Sequence, residues 1–142
     1  MMRDIKAFLQ PPIMGETKEI IVSRRFLDEE GNPVPFKVRV IDQETNDKII
    51  ERATTRKKIN GTVVQEFDNA RYGKLLVQAC VVEPDFGNAE ICAYYKTADP
   101  LEVPGRMLSV GEYNRMVKAI KEINEIETSD EDVEALEDEA KN

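Results

Sequence analysis

Histidine is absent from all 142 residues, and with it the side chain that most often moves protons near neutral pH and that most often ligates metals. That disfavours several enzyme classes at once. Serine is scarce as well. Ser23, Ser109 and Ser129 are the only three; they fall in a strand, at a helix start and in the tail, and no G-x-S-x-G elbow surrounds them. Neither a G-x-x-x-x-G-K-[ST] nor a G-x-G-x-x-G loop occurs, so a nucleotide cradle has no support. The two cysteines, Cys80 and Cys92, lack metal-ligand spacing and are expected to be reduced, mostly buried thiols. Asp28-Glu29-Glu30 lacks the spacing of a calcium loop and reads as a solvated turn. No apolar run approaches the roughly 20 residues that cross a bilayer, and MMRDIKAFLQ has neither the apolar length nor the cleavage site of a signal peptide. The expectation is a soluble, cytosolic, non-enzymatic chain with no metal, no cofactor and no membrane contact.

What is present begins with an uneven distribution of charge. The net charge of −8 is not spread over the chain: Glu122 to Asn142 holds 10 acidic residues and one lysine, leaving 18 acids against 19 bases before it. The body is close to neutral and the tail is acidic. A block of like charge repels itself and stays solvated, so this end is either a plain solvated terminus or a solubilising and docking tail. At this length one domain suffices, able to bury about two-thirds of its unfolded surface. We expect residues 1–17 to be a mobile arm, residues 18–126 the folded domain, and residues 127–142 an acidic tail without order of its own. Ile5, Phe8 and Leu9 of the arm can meet a partner, but folding back or disorder is the expected behaviour.

Alternation dominates the stretch Ile20 to Ile41. Val34, Phe36, Val38 and Val40 alternate with Pro35, Lys37 and Arg39, and Ile20, Val22 and Phe26 recur at even spacing before them, which predicts a two-stranded hairpin with one face in need of cover. Gly31 in the polar loop between the strands can take positive φ. Asp42 or Thr45 can cap a helix to about Thr55, with Ile49, Ile50 and Ala53 inward. A second hairpin is predicted over Thr55 to Phe67 around Asn60-Gly61. Asp68 then caps a helix to about Val82, with Tyr72, Leu75, Leu76, Ala79 and Cys80 on its apolar face and Pro84 as its stop. A short helix runs from Asn88 to about Tyr95, and Thr97 to Gly105 reads as a loop. Ser109 caps the last helix, whose stripe is Val110, Tyr113, Val117 and Ile120 with Met116 and Ile123 beside them. The fold class is α+β, a small antiparallel hairpin sheet against three or four helices.

Arg52, Arg56, Lys57 and Lys58, with Arg24, Arg25, Lys37 and Arg39, can form a basic surface. Nucleic acid is disfavoured as its partner, because the acidic tail competes for those cations and the stacking aromatics of a strand-binding surface are missing.

The block Val22-Ser23-Arg24-Arg25-Phe26, an acidic turn with Gly31, and Pro33-Val34-Pro35-Phe36 opening a basic strand resembles the phage XkdN-like tail assembly chaperones. Asp68, Tyr72, Cys80 and Pro84 stand as that family's middle helix has them, followed by Asn88-Ala89-Glu90, Met107-Leu108 and Gly111-Glu112-Tyr113, so the likeness spans most of residues 20–126 in collinear order. It breaks at Lys96 to Pro104, where KTADPLEVP replaces a more helix-forming stretch. The resemblance implies a non-catalytic protein of the bacterial host's cytoplasm, absent from the finished virion. Such a protein keeps the tape measure protein soluble and brings tail tube subunits to it, as several copies or a homo-oligomer. It also implies a longer product of ribosomal slippage, and Ala140-Lys141-Asn142 can be encoded on a slippery A-rich run. Docking candidates are the face around Val34, Phe36 and Val38, the pair Tyr94-Tyr95, and Tyr113 and Met116 of the last helix, each with ordinary core packing as the alternative. The rival reading is a generic protein-binding adaptor or regulator encoded by a mobile element.

Overall fold

A computed structural model describes residues 4–126; the acidic tail and the slippage-compatible end lie outside the described residues. The architecture is α+β. Strands β1 (Thr17–Ile20), β2 (Phe36–Arg39) and β5 (Val81–Glu83) form an antiparallel sheet with β2 in the centre, and β3 (Thr54–Ile59) and β4 (Thr62–Phe67) form a separate two-stranded ribbon. Among the described residues there are five α-helices: α1 (Gln43–Arg52), α2 (Asn69–Cys80), α3 (Ala89–Tyr94), α4 (Val103–Met107) and α5 (Val110–Ile123).

The predicted first hairpin exists, but its ladder is broken. Ile20 pairs with Phe36, and the next bridge is Leu27 with Pro33, so six residues on one side face two on the other. The surplus holds Val22 in the core and Ser23 and Arg25 against α5, a gain in packing that outweighs the few ladder bonds lost. Even spacing of Ile20, Val22 and Phe26 therefore does not describe a continuous strand. Phe36, Val38 and Val40 do share a buried face, and Phe36 stacks on Phe26 and meets Phe86 edge-on. Val34 departs from it and is 43% exposed, since it pairs with Phe26 at the tip, beyond the core's edge. At the turn itself, the Asp28 carboxylate accepts from the amides of Glu30 and Asn32 at 2.9 Å, and Gly31 takes φ +83°.

Helix starts follow their caps. Asp42, Asp68, Asn88 and Ser109 each accept a hydrogen bond from a first-turn amide, satisfying donors that would otherwise have no partner. Four helix expectations need correction. Helix α2 stops at Cys80, because Val81 pairs with Val38 in the sheet. Thr97 to Gly105 is not a loop: Asp99 caps a 3-10 turn at Pro100–Glu102 that runs into α4. Both prolines there sit in first turns, where the missing N–H is not needed, and the burial of Val103 and Pro104 fixes the segment. In α5 the buried residues are Glu112, Met116, Ala119 and Ile120, whereas Val110 is exposed. At about 100° per residue Val110 lies about 120° around from Met116, while Glu112 lies only about 40° away. Ile50 likewise faces solvent, with Ile49 and Ala53 taking the core positions.

One core unites these elements: Val22, Phe36 and Val38 from the broken hairpin, Ile49 and Ala53 from α1, Leu75, Leu76, Val77 and Cys80 from α2, and Met116, Ala119 and Ile120 from α5. Asn124 locks the end of α5 to the end of β2. Its side chain accepts from the Ile41 amide at 2.9 Å and donates to the carbonyls of Arg39 at 3.2 Å and Ile120 at 2.9 Å. The described part of the N-terminal arm does not fold back on this core: its 3-10 turn Ile5–Phe8 buries no residue, and Phe8 is 68% exposed.

Candidate functional site

Asn60-Gly61 makes the β3–β4 turn that its sequence predicts, with φ of +52° and +80° at the two positions, values that asparagine and glycine tolerate. The ladder it starts is regular from Ile59 with Thr62 to Thr54 with Phe67. Burial does not explain the ribbon. Not one of its residues is buried, although a two-stranded hairpin is marginal by itself in water. Directly paired residues share a face, so Arg56, Lys58, Val63 and Phe67 lie on one side and Lys57, Ile59, Val64 and Glu66 on the other. Val63 is 56% and Ile59 54% exposed. Phe67 packs on Tyr72 with ring centroids 5.7 Å apart, which roots the ribbon on α2. Each face thus combines β-branched apolar side chains with cations, and among the described residues both ribbon edges lack a pairing strand.

The docking residues expected from the sequence divide by position. Phe36, Val38 and Met116 are in the core. Tyr113 and Tyr95 are half-buried against it, and Val34 and Tyr94 face solvent. Tyr94 and Tyr95 meet edge to face at 4.9 Å, with Tyr94 77% exposed. The structure brings the tyrosine pair together, but Val34 lies apart at the hairpin tip. Val63, Val64 and Ile59 are exposed apolar residues that were not among those docking candidates; the signal in the sequence is a strand with no apolar alternation that nonetheless carries two adjacent valines.

The broad basic surface is likewise divided. Lys37 pairs with Glu83 at 3.7 Å, Arg39 donates to the Ala79 carbonyl at 2.7 Å, and Arg25 grips Glu112 with two bonds of 2.9 and 2.6 Å. Glu112 also receives the Ser109 amide at 2.9 Å while Ser109 caps the Glu112 amide, closing a capping box. The Arg25 guanidinium, then the Ser109 amide and Ser23, hold the Glu112 carboxyl well below the usual carboxylate range. A depressed folded-state value means that this carboxylate contributes stability at neutral pH, fully present above its ordinary value of 4.5 and lost as the pH falls below it. Denaturant titrations at about pH 7 and about pH 3 should show a larger fall in midpoint for the native chain than for Glu112→Gln. Equal falls would remove this pair from the acid response.

Among the described residues no group of three or more His, Cys, Asp or Glu could hold a metal ion, and Cys80 and Cys92 are both free. Burial pushes the Cys80 thiol up to about 11, so it is not an activated nucleophile. No helix among the described residues is long and apolar enough to cross a membrane.

Comparison with known proteins adds relatives over nearly the whole length. The family described as phage XkdN-like tail assembly chaperone protein matches residues 5–141. The uncharacterized protein YqbN of Bacillus subtilis (strain 168) is 42% identical over 133 residues, 92% of this chain and 87% of the relative. The phage-like element PBSX protein XkdN of the same organism is 39% identical over 140 residues, 96% of this chain and 93% of the relative. A crystal structure of YqbN superposes with a TM-score of 0.72 at 33% identity, covering 89% of this chain and all of that one.

Proposed function

Because the chain belongs to the phage XkdN-like tail assembly chaperone family, we propose that it keeps a tape measure protein soluble and brings tail tube subunits to it, acting in several copies in the cytoplasm of the bacterial host and leaving before the virion is complete. Family membership implies a non-catalytic role. The observation that carries the client reading is the unburied β3–β4 ribbon, together with the exposed apolar side chains of the N-terminal arm. A helical tape measure without its tube exposes a long apolar surface, and a rigid body with a protruding, apolar and cationic ribbon can cover it. Pairing along a free ribbon edge would add backbone hydrogen bonds to that cover without demanding a particular client sequence. Tyr94 and Val34 are secondary contacts on the same argument, each an exposed apolar side chain beside the body.

Co-expression with a phage tape measure protein tests the proposal. The expected result is a tape measure protein that moves into the soluble fraction and co-purifies with this chain. A tape measure protein that stays insoluble whether or not this chain is present would leave only a generic adaptor.

A further inference from the structure

The surplus residues that break the first hairpin open a cleft of about 700 Å³ against α5, lined by Ile21, Val22, Ser23, Arg24, Arg25 and Arg115. Arg25 is spent on Glu112. Arg115 is held by its Nε, which donates to the Val22 carbonyl at 2.9 Å, so its guanidinium is anchored at the cleft wall with its two terminal nitrogens outside that bond. Arg24 and Ile21 are exposed. Among the described residues neither Arg24 nor Arg115 makes an ion pair with a carboxylate. Farther along α5, Glu122 lies between Lys118 at 4.0 Å and Lys18 at 3.8 Å. From the cleft to the end of α5 the seam therefore carries Arg24, Arg115, Lys118 and Lys18, and Glu122 is the carboxylate that pairs with the two lysines. Glu19 pairs across from Lys37, on the opposite face of β1 from Lys18.

We propose that this cleft binds a carboxylate-rich peptide and that its occupant is the chain's own segment 127–142. Charge complementarity is the first argument: that segment holds eight carboxylates and one lysine, with Val133 and Leu136 as apolar residues to set beside Ile21. Direction is the second. At the end of α5 Glu125 takes φ +54°, and the Ile126 amide donates back to the Lys121 carbonyl at 2.9 Å. A left-handed residue with that backward bond is the helix stop that turns the chain around, and half-buried Ile126 packs on the core, so the described chain ends against the body. Reach is the third. Arg115 lies about 16 Å up the helix from Ile126, and six extended residues span about 20 Å, so the chain is long enough for Asp130 to Glu134 to reach Arg115 and Arg24. Guanidinium groups suit this task because each can take a carboxylate through two parallel bonds. The segment then shields the cations of the seam and leaves the β3–β4 ribbon uncovered for other contacts.

Carbodiimide coupling of the full-length chain tests this, because it joins only amines and carboxylates already in contact. An equal mixture of light and heavy isotope-labelled copies separates links within one chain from links between copies. The expected product joins Lys118 to a carboxylate of residues 130–139, in light–light and heavy–heavy peptides only. Its yield should fall about three- to five-fold in Arg24→Glu, and it should fall again in about 1 M salt. The Lys37–Glu83 link, from a pair 3.7 Å apart on the far face, is the internal standard for a folded chain. Links from the segment mainly to Lys57 and Lys58, a predominance of light–heavy peptides, or a yield indifferent to Arg24→Glu would each overturn the proposal. No client protein takes part, so this result and that of the co-expression experiment stand or fall separately.

Discussion

Met116→Ala is expected to lower the stability of the native state by about 3 kcal/mol, and with it the thermal midpoint by roughly 10 °C. Met116 has no exposure at all, and it belongs to the same buried cluster as Val38, Leu75 and Ile120, on the helix that packs against β2 and α2. Removing its side chain withdraws apolar contacts from the surrounding core and leaves a cavity that only partial collapse can fill. Met116→Leu, close to the same volume, should lose less than about 1.5 kcal/mol. The pair of variants separates two roles. A core residue produces the difference in thermal or denaturant unfolding of the isolated chain, whereas a docking residue would lower client binding with an unchanged melt. An unaltered midpoint for Met116→Ala would return this residue to the list of contact candidates.

Val63→Glu and Val64→Glu, made one at a time, should abolish rescue of the tape measure protein on whichever ribbon face meets it. If the face carries a binding anchor, the loss is about 2 kcal/mol, or roughly thirty-fold in affinity. The two residues are adjacent in β4, so their side chains point to opposite sides, and the comparison reads out the face directly. Neither substitution touches the core, and an exposed change of this kind stays within about 0.5 kcal/mol in stability. Pull-down of the tape measure protein, with a thermal melt of each variant as control, makes the measurement. Two variants that rescue as well as the native chain would move the client contact to the N-terminal arm or the tyrosine pair. Tyr94→Ala is the corresponding probe for the latter, since its ring is largely exposed and meets Tyr95 edge to face.

Local signals in the sequence translated into local structure with little loss. Asp42, Asp68, Asn88 and Ser109 became helix caps, and Asn60-Gly61 became the turn of the ribbon, because capping and turn formation depend on atoms within a few residues of one another. The collinear motifs from Val22 to Tyr113 pointed to the family that comparison over residues 5–141 identifies. Where a second element intervened, local reading failed. Nothing near Val81 in the chain says that it pairs with Val38 instead of extending α2. Thr97 to Gly105 looks like a loop because its prolines are read as breakers, until the burial of Val103 and Pro104 gives the segment a reason to coil.

Charge and hydrophobicity show the same division. By itself the sequence determined the absence of histidine chemistry, the acidic end, the α+β class and the helix boundaries at their capped ends, all properties of composition or of short-range geometry. Only the tertiary structure decided that Arg25 would be consumed by Glu112, 87 positions away, that Phe36 and Val38 would face inward, and that the β3–β4 ribbon would face nothing. Those outcomes depend on which surfaces meet once the chain has closed on itself, and burial and ion pairing between distant residues take their strength from that closure.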